Sequence, residues 1–124
     1  MRLLLDTHAL IWALDEPDRL PAKIHEAFDT GVVFVSAAST WEIAIKVAVG
    51  RLVFPIDALP GAMIDAAFEE LAVNITHSLG AATLPLLHRD PFDRLLIAQA
   101  RHERLTLVSR DPDIRRYPVD TLWD

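Results

Sequence analysis

Four acidic residues lie where an α/β protein would build a metal site. They follow predicted strands or open predicted helices: Asp6, Glu42, Asp93 and Asp111. Carboxylate oxygens, with no Cys in the chain and no His residues at ligand spacing, favour a hard cation, Mg²⁺ or Mn²⁺. Mg²⁺ held by few carboxylates, with positions left for water, is typical of phosphoryl chemistry. The residue types therefore predict a metal-dependent reaction at a phosphate.

The elements around these acids would bring them together. Apolar and β-branched runs predict strands at Arg2–Leu5, Val32–Val35, Ala72–Ile75, Thr106–Ser109 and Val119–Trp123. Helical patterns predict helices at Ala9–Leu14, Pro21–Thr30, a segment ending at Val49 before Gly50, Pro60–Leu71 and Pro91–Glu103. This alternation indicates an α/β fold with a parallel sheet and helices on both faces. Functional residues of such sheets collect beyond the carboxyl ends of the strands.

A tight acidic cluster needs compensation for its own charge. Two unit charges about 4 Å apart repel by about 4 kcal/mol at an effective dielectric constant near 20. A helix N-terminus offsets only roughly 0.3–1 kcal/mol per carboxylate. Converging carboxylates therefore require shared protons or a bound cation.

Helix capping is the alternative interpretation of each acid taken alone. Asp6 and Asp111 stand at N-cap positions, and Asp111 directly precedes a proline. The segment Ser39–Glu42 fits a capping box, and Asp90–Asp93 fits the same geometry with Asp90 as the cap. Capping explains the acids singly. It does not explain why three of the four fall at strand-to-helix junctions of the predicted carboxyl edge while Asp93 starts the helix that leads into the strand Thr106–Ser109.

Length and composition limit the classes of protein. At 124 residues the chain is expected to be one domain, residues 1–124. Without cysteine there is no disulfide, thiol nucleophile or zinc–thiolate site. No signal peptide and no apolar run of about 20 residues is present, so a cytoplasmic protein without membrane association is expected. The net charge is −6, but seven of the twelve Lys and Arg lie from Arg89 onward, so charge does not exclude nucleic acid.

Four segments together resemble PIN-domain nucleases, specifically the VapC-like toxins of type II toxin–antitoxin pairs. The matching segments are Leu3–Trp12, Val35–Lys46, Leu87–Ala100 and Leu107–Asp111. The resemblance covers essentially the whole chain and implies a PIN-like fold, a central parallel sheet of about five strands flanked by helices on both faces. Ser109 replaces the usual Thr before the fourth acid and keeps the hydroxyl, and His8 stands where many members carry Ser or Asn.

The resemblance implies a Mg²⁺-dependent endoribonuclease (Mn²⁺ as an alternative ion) that hydrolyses RNA phosphodiester bonds. Asp6 and Asp93 would be the main metal ligands, while Glu42 and Asp111 would hold a second ion or orient the attacking water. Thr7 and Ser109 would hydrogen-bond these carboxylates, and Asp90 would position Asp93 as a helix cap. Candidate RNA contacts are Arg89, Arg94, Arg110 and His88; salt bridges to the acids are the alternative for the three arginines. The implied partners are an antitoxin protein and a second copy in a homodimer.

Side chains beside the acids have simpler expected roles. Lys46 follows Glu42 by one helical turn, which predicts a surface ion pair. Trp12 and Trp41 lie on apolar helical faces and are expected in the core. Trp123 is expected to cover a sheet edge or contact a partner. All five histidines, including the candidate RNA contact His88, are expected at the surface or beside the site; the others are His8, His25, His77 and His102.

Other functions fit less well. Aspartyl-phosphate phosphatases need a second Asp two positions after the first, where this chain has His8. Phospho-receiver domains need an acidic pair after the first strand and an Asp at the middle strand, and neither is present. A catalytically silent PIN-like module that only binds protein or RNA remains open, although the presence of all four acids disfavours it.

Overall fold

A five-stranded, fully parallel sheet forms the centre of the computed structural model, which describes all of residues 1–124. The strands are β1 (Arg2–Leu5), β2 (Val32–Ser36), β3 (Glu69–Leu71), β4 (Thr106–Val108) and β5 (Thr121–Leu122). Their order is β3-β2-β1-β4-β5. The first strand in the chain therefore lies in the middle, where Leu4 pairs with Phe34 on one side and Leu107 on the other.

Helices cover both faces of this sheet. They are α1 (Thr7–Asp15), α2 (Ala22–Thr30), α3 (Ala37–Ala48), α4 (Leu59–Asp65), α5 (Ile75–Ala82) and α6 (Pro91–Glu103), with 3₁₀ turns at Pro17–Arg19, Ile56–Ala58 and Ile114–Arg116. Successive residues of β1 point to opposite faces. Leu3 and Leu5 join a core with α1 and α2, whereas Leu4 joins a second core with α6. The predicted α/β architecture is confirmed, and none of the helices has the length and apolarity to span a membrane.

Two glycines allow the helices to connect to the sheet. A Cβ on Gly31, between α2 and β2, would lie 2.4 Å from the carbonyl oxygen of Met1, so only glycine fits there. Gly50 follows α3 with φ +76°, a left-handed conformation that glycine adopts without steric cost. The sequence prediction that α3 ends before Gly50 is confirmed.

The segment between α3 and α6 differs from the sequence prediction. The helix predicted at Pro60–Leu71 ends at Asp65, and the strand predicted at Ala72–Ile75 lies earlier, at Glu69–Leu71. Between α4 and β3 the chain turns at Ala67, which adopts φ +60°. Alanine is rarely found in this left-handed conformation, so the sequence does not predict the turn. The unpredicted α5 begins with a capping box in which Asn74 and His77 exchange hydrogen bonds, with His replacing the usual Glu or Gln.

Arg104, at the end of α6, provides a stability test. It adopts φ +57° and ψ +50° and is exposed, and a non-glycine residue in this region carries a cost of about 1–2 kcal/mol. Arg104→Gly should therefore raise the free energy of unfolding by about 1 kcal/mol or slightly less, because glycine also loses more backbone entropy on folding. The matched variant Arg101→Gly, at an exposed right-handed position of α6, should lower it by about 1 kcal/mol. Urea denaturation of both variants measures the difference, and a destabilised Arg104→Gly contradicts the argument.

Candidate metal centre

Asp6 lies at the carboxyl end of the central strand and is almost fully buried. Its backbone N–H donates to the carbonyl oxygen of Val108 on β4 at 3.1 Å, which continues the sheet past β1. Its Oδ1 accepts the N–H of Ala9 at 2.8 Å, so Asp6 also caps α1. Burial raises the pKa of Asp6 above its usual value, and a hydrogen bond from Ser109 partly opposes this rise. A cap and a buried site carboxylate are here the same residue.

Asp93 lies in the first turn of α6 and shares the environment of Asp6. The neighbouring Asp90 is the N-cap and accepts the N–H groups of Phe92 and Asp93 at 2.8 and 3.2 Å. The predicted role of Asp90 as a cap is thus observed, which leaves the carboxylate of Asp93 free of capping. Burial raises the pKa of Asp93 to about 7, and the negative charges of Asp90, Asp6 and Glu42 add to this rise.

His88 lies between Asp93 and Asp111 rather than on a free surface for RNA. Its Nε2 is 2.9 Å from Oδ2 of Asp93 and 3.2 Å from Oδ2 of Asp111. Its Nδ1 accepts the backbone N–H of Asp90 at 3.3 Å. Since Nδ1 accepts, the neutral ring carries its proton on Nε2 and donates it to the two carboxylates. His88 thus lies beside the acids, which is one of the two positions expected of the histidines.

Glu42 reaches the centre from the second turn of α3. The helix begins at Ala37 with Ser36 as its N-cap, so the predicted capping box at Ser39–Glu42 is wrong. The Glu42 carboxylate is buried and fully hydrogen-bonded. Thr7 donates its hydroxyl to Oε1 at 2.6 Å, as predicted for that residue, and Lys46 donates to Oε2 at 2.7 Å in the predicted i,i+4 pair.

Asp111 is the most exposed of the four acids, with a third of its side chain accessible. Its backbone N–H donates to the hydroxyl of Ser109 at 3.1 Å, and its Oδ1 accepts the N–H of Asp113 at 2.8 Å. The hydroxyl of the buried Ser109 thus contacts both ends of the site. It hydrogen-bonds the carboxylate of Asp6 and accepts the backbone N–H of Asp111. The remaining Oδ2 of Asp111 faces His88.

Arg94 holds a loop in place instead of lying free for RNA, and this corrects its assignment as an RNA contact. Its guanidinium donates to the carbonyl oxygens of four residues: Ala81, Leu84, Pro85 and His88. Tyr117, which the sequence reasoning missed, accepts the N–H groups of Leu87 and His88 and donates to Pro85. Together Arg94 and Tyr117 fix the loop that carries His88 to the acids.

The other predicted side chains divide into free and occupied groups. Arg89 is exposed and pairs with no carboxylate. The guanidinium carbon of Arg110 lies 4.6 Å from the ring centroid of Trp12, which is buried as predicted. Trp41, expected in the core, is 64% exposed and meets Phe92 edge-to-face. His77, expected near the surface, is buried because it caps α5 and contacts Glu103.

The donor set fits a divalent cation. Burial raises the pKa values of the carboxylates Asp6 and Asp93, so their charged forms are disfavoured when no cation is near. A dication would remove that penalty, and oxygen ligands match Mg²⁺ or Mn²⁺. Asp111 adds a carboxylate that is one-third exposed, whereas the carboxylate of Glu42 is buried and bound to Thr7 and Lys46.

The pKa of Asp93 predicts how stability changes with pH when divalent ions are removed. A carboxyl whose pKa rises from 3.8 to about 7 on folding stabilises the protein at low pH, and this stability is lost as the pH rises from about 4 to about 7. Asp93→Asn should flatten much of this loss. Asp65→Asn, at the exposed end of α4, is the charge-matched control and should leave it unchanged. Urea denaturation in EDTA across this range tests it; equal slopes for all three proteins contradict the assignment.

Comparisons with known proteins agree with this architecture. Residues 3–120 match the family model described as the PIN domain. Ribonuclease VapC22 of Mycobacterium tuberculosis (strain ATCC 25618 / H37Rv) is 31% identical over 129 residues, covering 98% of each protein. Two solved structures are similar in fold: VapBC2 from Rickettsia felis bound to a DNA fragment from their promoter (TM-score 0.76, 17% identity, 100% of both chains) and DNA-bound VapBC from Salmonella typhimurium (TM-score 0.70, 14% identity, 98% of this chain and 97% of that chain).

The family model spans nearly the whole chain, and it includes all four acids of the centre. The curated relative matches over almost its full length at 31% identity. The structural matches, all at low identity, add that the fold is shared. The chain belongs to the PIN domain family.

Proposed function

We propose that the chain is a metal-dependent endoribonuclease and the toxin of a toxin–antitoxin pair. The observation that carries the proposal is the pair of neighbouring carboxylates at the carboxyl edge of the sheet, Asp6, which is buried, and Asp93, which is half-buried; the pKa of each is raised. Such a pair is costly in a protein that binds no cation. The likeness to a ribonuclease over 98% of each chain supports the reaction class.

The residues of the centre have separate roles in this proposal. When bound, Mg²⁺ or Mn²⁺ supplies Lewis-acid polarisation of the phosphate and lowers the pKa of water. Asp6 and Asp93 hold the cation, and Asp111 offers its exposed oxygen to a second ion or to water. Glu42 accepts hydrogen bonds from Thr7 and Lys46, so the positive charge of Lys46 balances the negative charge of Glu42 beside the cation site. His88 orients Asp93 and Asp111 through its Nε2–H.

RNA is the proposed substrate, and the unpaired cations near the centre support it. Arg89 and Arg110 flank the acids in sequence, are exposed, and pair with no carboxylate. They remain candidates for phosphate or base contacts, whereas Arg94 does not because its guanidinium is already occupied. A cytoplasmic location is part of the same proposal.

An apolar groove suits an antitoxin segment. It has a volume of about 410 Å³ and is lined mainly by apolar side chains, among them Ile56, Leu59, Met63, Ile64 and Phe68. An amphipathic helix buries its apolar face in such a groove. The acidic centre would then attract a basic side chain of the same partner, which sets register and speeds association.

The homodimer also remains a proposal, and α3 offers a surface for it. Trp41, Ile45 and Val49 recur at intervals of four residues along this helix and are exposed. Residues at this spacing share one helix face. Phe92 of α6 extends the stripe through its contact with Trp41.

Cleavage of RNA should require Mg²⁺ or Mn²⁺ and stop when EDTA removes them. Asp93→Asn should reduce cleavage by about three orders of magnitude or more, as expected when a metal ligand is lost. Asp65→Asn makes the same charge change far from the centre and should cleave normally. Gel assays of labelled RNA measure both. Full cleavage without divalent ions contradicts the mechanism, and no cleavage under any condition favours a silent PIN-like binding module.

Binding of the antitoxin should depend on the apolar groove. Ile64→Glu puts a charge into it and should weaken binding of the small protein encoded beside this chain by 10-fold or more, while RNA cleavage persists. Val53→Glu is the matched control, since Val53 is 98% exposed and lies outside the groove. Calorimetric titration measures the affinities. Equal affinities for the two variants place the partner elsewhere. Charge reversal of the partner's basic residue should also relieve nuclease inhibition.

A further inference from the structure

We propose that a cleft beside the metal centre binds one nucleobase of the RNA, with guanine preferred, next to the phosphate that is cut; this rests on the proposed function. The cleft has a volume of about 260 Å³ and is lined by Asp6, His8, Trp12, Arg110, Asp111 and Trp123, among others. It therefore opens directly onto two of the four acids. Its volume lies below the roughly 300–1,000 Å³ of drug-sized pockets and suits a single base.

The aromatic side chains supply flat walls for a base. Trp12 and Trp123 have ring centroids 5.8 Å apart, and the ring of His8 is nearly parallel to Trp12 at 6.1 Å. Trp12 is buried beneath the guanidiniums of Arg19 and Arg110 and forms the floor, so the rings available to a base are those of Trp123, which is partly exposed, and His8, which is exposed. Stacking on such rings is a major source of affinity for unpaired bases of RNA.

Arg110 supplies the hydrogen-bond donors. Its guanidinium lies over Trp12, donates no hydrogen bond to the protein and pairs with neither Asp6 nor Asp111. A second arginine on the same ring, Arg19, differs because it is already paired with Glu16 at 3.0 Å and does not line the cleft. Of these two arginines, Arg110 is thus the one that presents free N–H groups to an occupant of the cleft.

The chemistry of the lining favours a base over a phosphate. In the proposed function the phosphate that is cut lies at the cation held by Asp6 and Asp93, so the cleft beside it is left for the adjoining base. A guanidinium carries donors and no acceptor, so it selects an edge with two adjacent acceptors. Guanine offers N7 and O6 in that arrangement, and arginine contacts this edge in bidentate fashion.

Binding is tested with the full chain carrying Asp93→Asn, which prevents cleavage, and Trp41→Phe, which leaves only Trp12 and Trp123 as tryptophan fluorophores. The probes are uracil hexaribonucleotides with guanine, adenine, cytosine or uracil at one central position. The guanine probe should quench the tryptophan fluorescence most strongly and bind about 10-fold more tightly than the others, the order of magnitude of one bidentate contact.

Arg110→Lys separates base recognition from simple charge. It keeps the positive charge but loses the planar fork, so the preference for guanine should disappear while the other probes bind about as before. Arg19→Lys, on the same tryptophan but outside the cleft, should keep the preference. An equal loss of affinity for all four probes indicates a phosphate contact and overturns the proposal, as does an unchanged preference.

Cleavage mapping with Asp93 intact distinguishes failure of the proposed base cleft from failure of the proposed nuclease function. Wild-type protein should cut beside guanines, and Arg110→Lys should cut with no such bias. If both cut RNA with the same bias, or neither shows any, the nuclease function stands and the base cleft is wrong. If the wild type neither cuts nor binds RNA, both proposals fail. Urea denaturation of Arg110→Lys confirms that the variant remains folded.

Discussion

Desolvation of carboxylates at the carboxyl edge of the sheet is the constraint around which this molecule is arranged. Burial raises the pKa of both Asp6 and Asp93, and for Asp93 the negative charges of Asp90, Asp6 and Glu42 add to the rise. Their neighbours reduce this cost without removing it: Ser109 donates to Asp6, and His88 donates to Asp93. The raised pKa values reflect the part of this desolvation cost that is not offset. A bound dication would offset it, so the site favours metal binding at the expense of the stability of the metal-free protein.

The topology decides which acids meet. Because the first strand of the chain occupies the middle of the sheet, Asp6 has β4 on one side and β2 on the other. Capping and site chemistry are combined in different ways at the two helices. Asp6 caps α1 with one oxygen, whereas in α6 the capping falls to Asp90 and Asp93 is released from it. The two interpretations of the acids in the sequence are therefore not exclusive.

Sequence reasoning succeeded where short-range signals coincide with burial and failed where tertiary contacts decide. The central strands and α6 could be predicted because apolar runs, Gly31 and the Asp90 cap mark them locally. Ala67 carries no signal for its left-handed turn, so residues 59–82 were misassigned. Arg94 and His88 have the polar side chains typical of surface residues. Only the folded loop shows that the guanidinium of Arg94 is bound to carbonyl oxygens and the ring of His88 to carboxylates. The apolar pattern around Trp41 predicts a core residue, but its side chain is exposed on α3.

The distribution of cations limits how this acidic protein can recognise RNA. Lys46 and Arg94 are committed to Glu42 and to a loop, which leaves Arg89 and Arg110 as the free cations nearest the centre. Few phosphate contacts give a weak dependence of affinity on salt and little non-specific attraction, especially at a net charge of −6. Affinity must then come from the cation at the acids and from short-range contacts with bases. Because long-range electrostatic attraction to RNA is weak, short-range contacts with bases determine which RNA sequences bind.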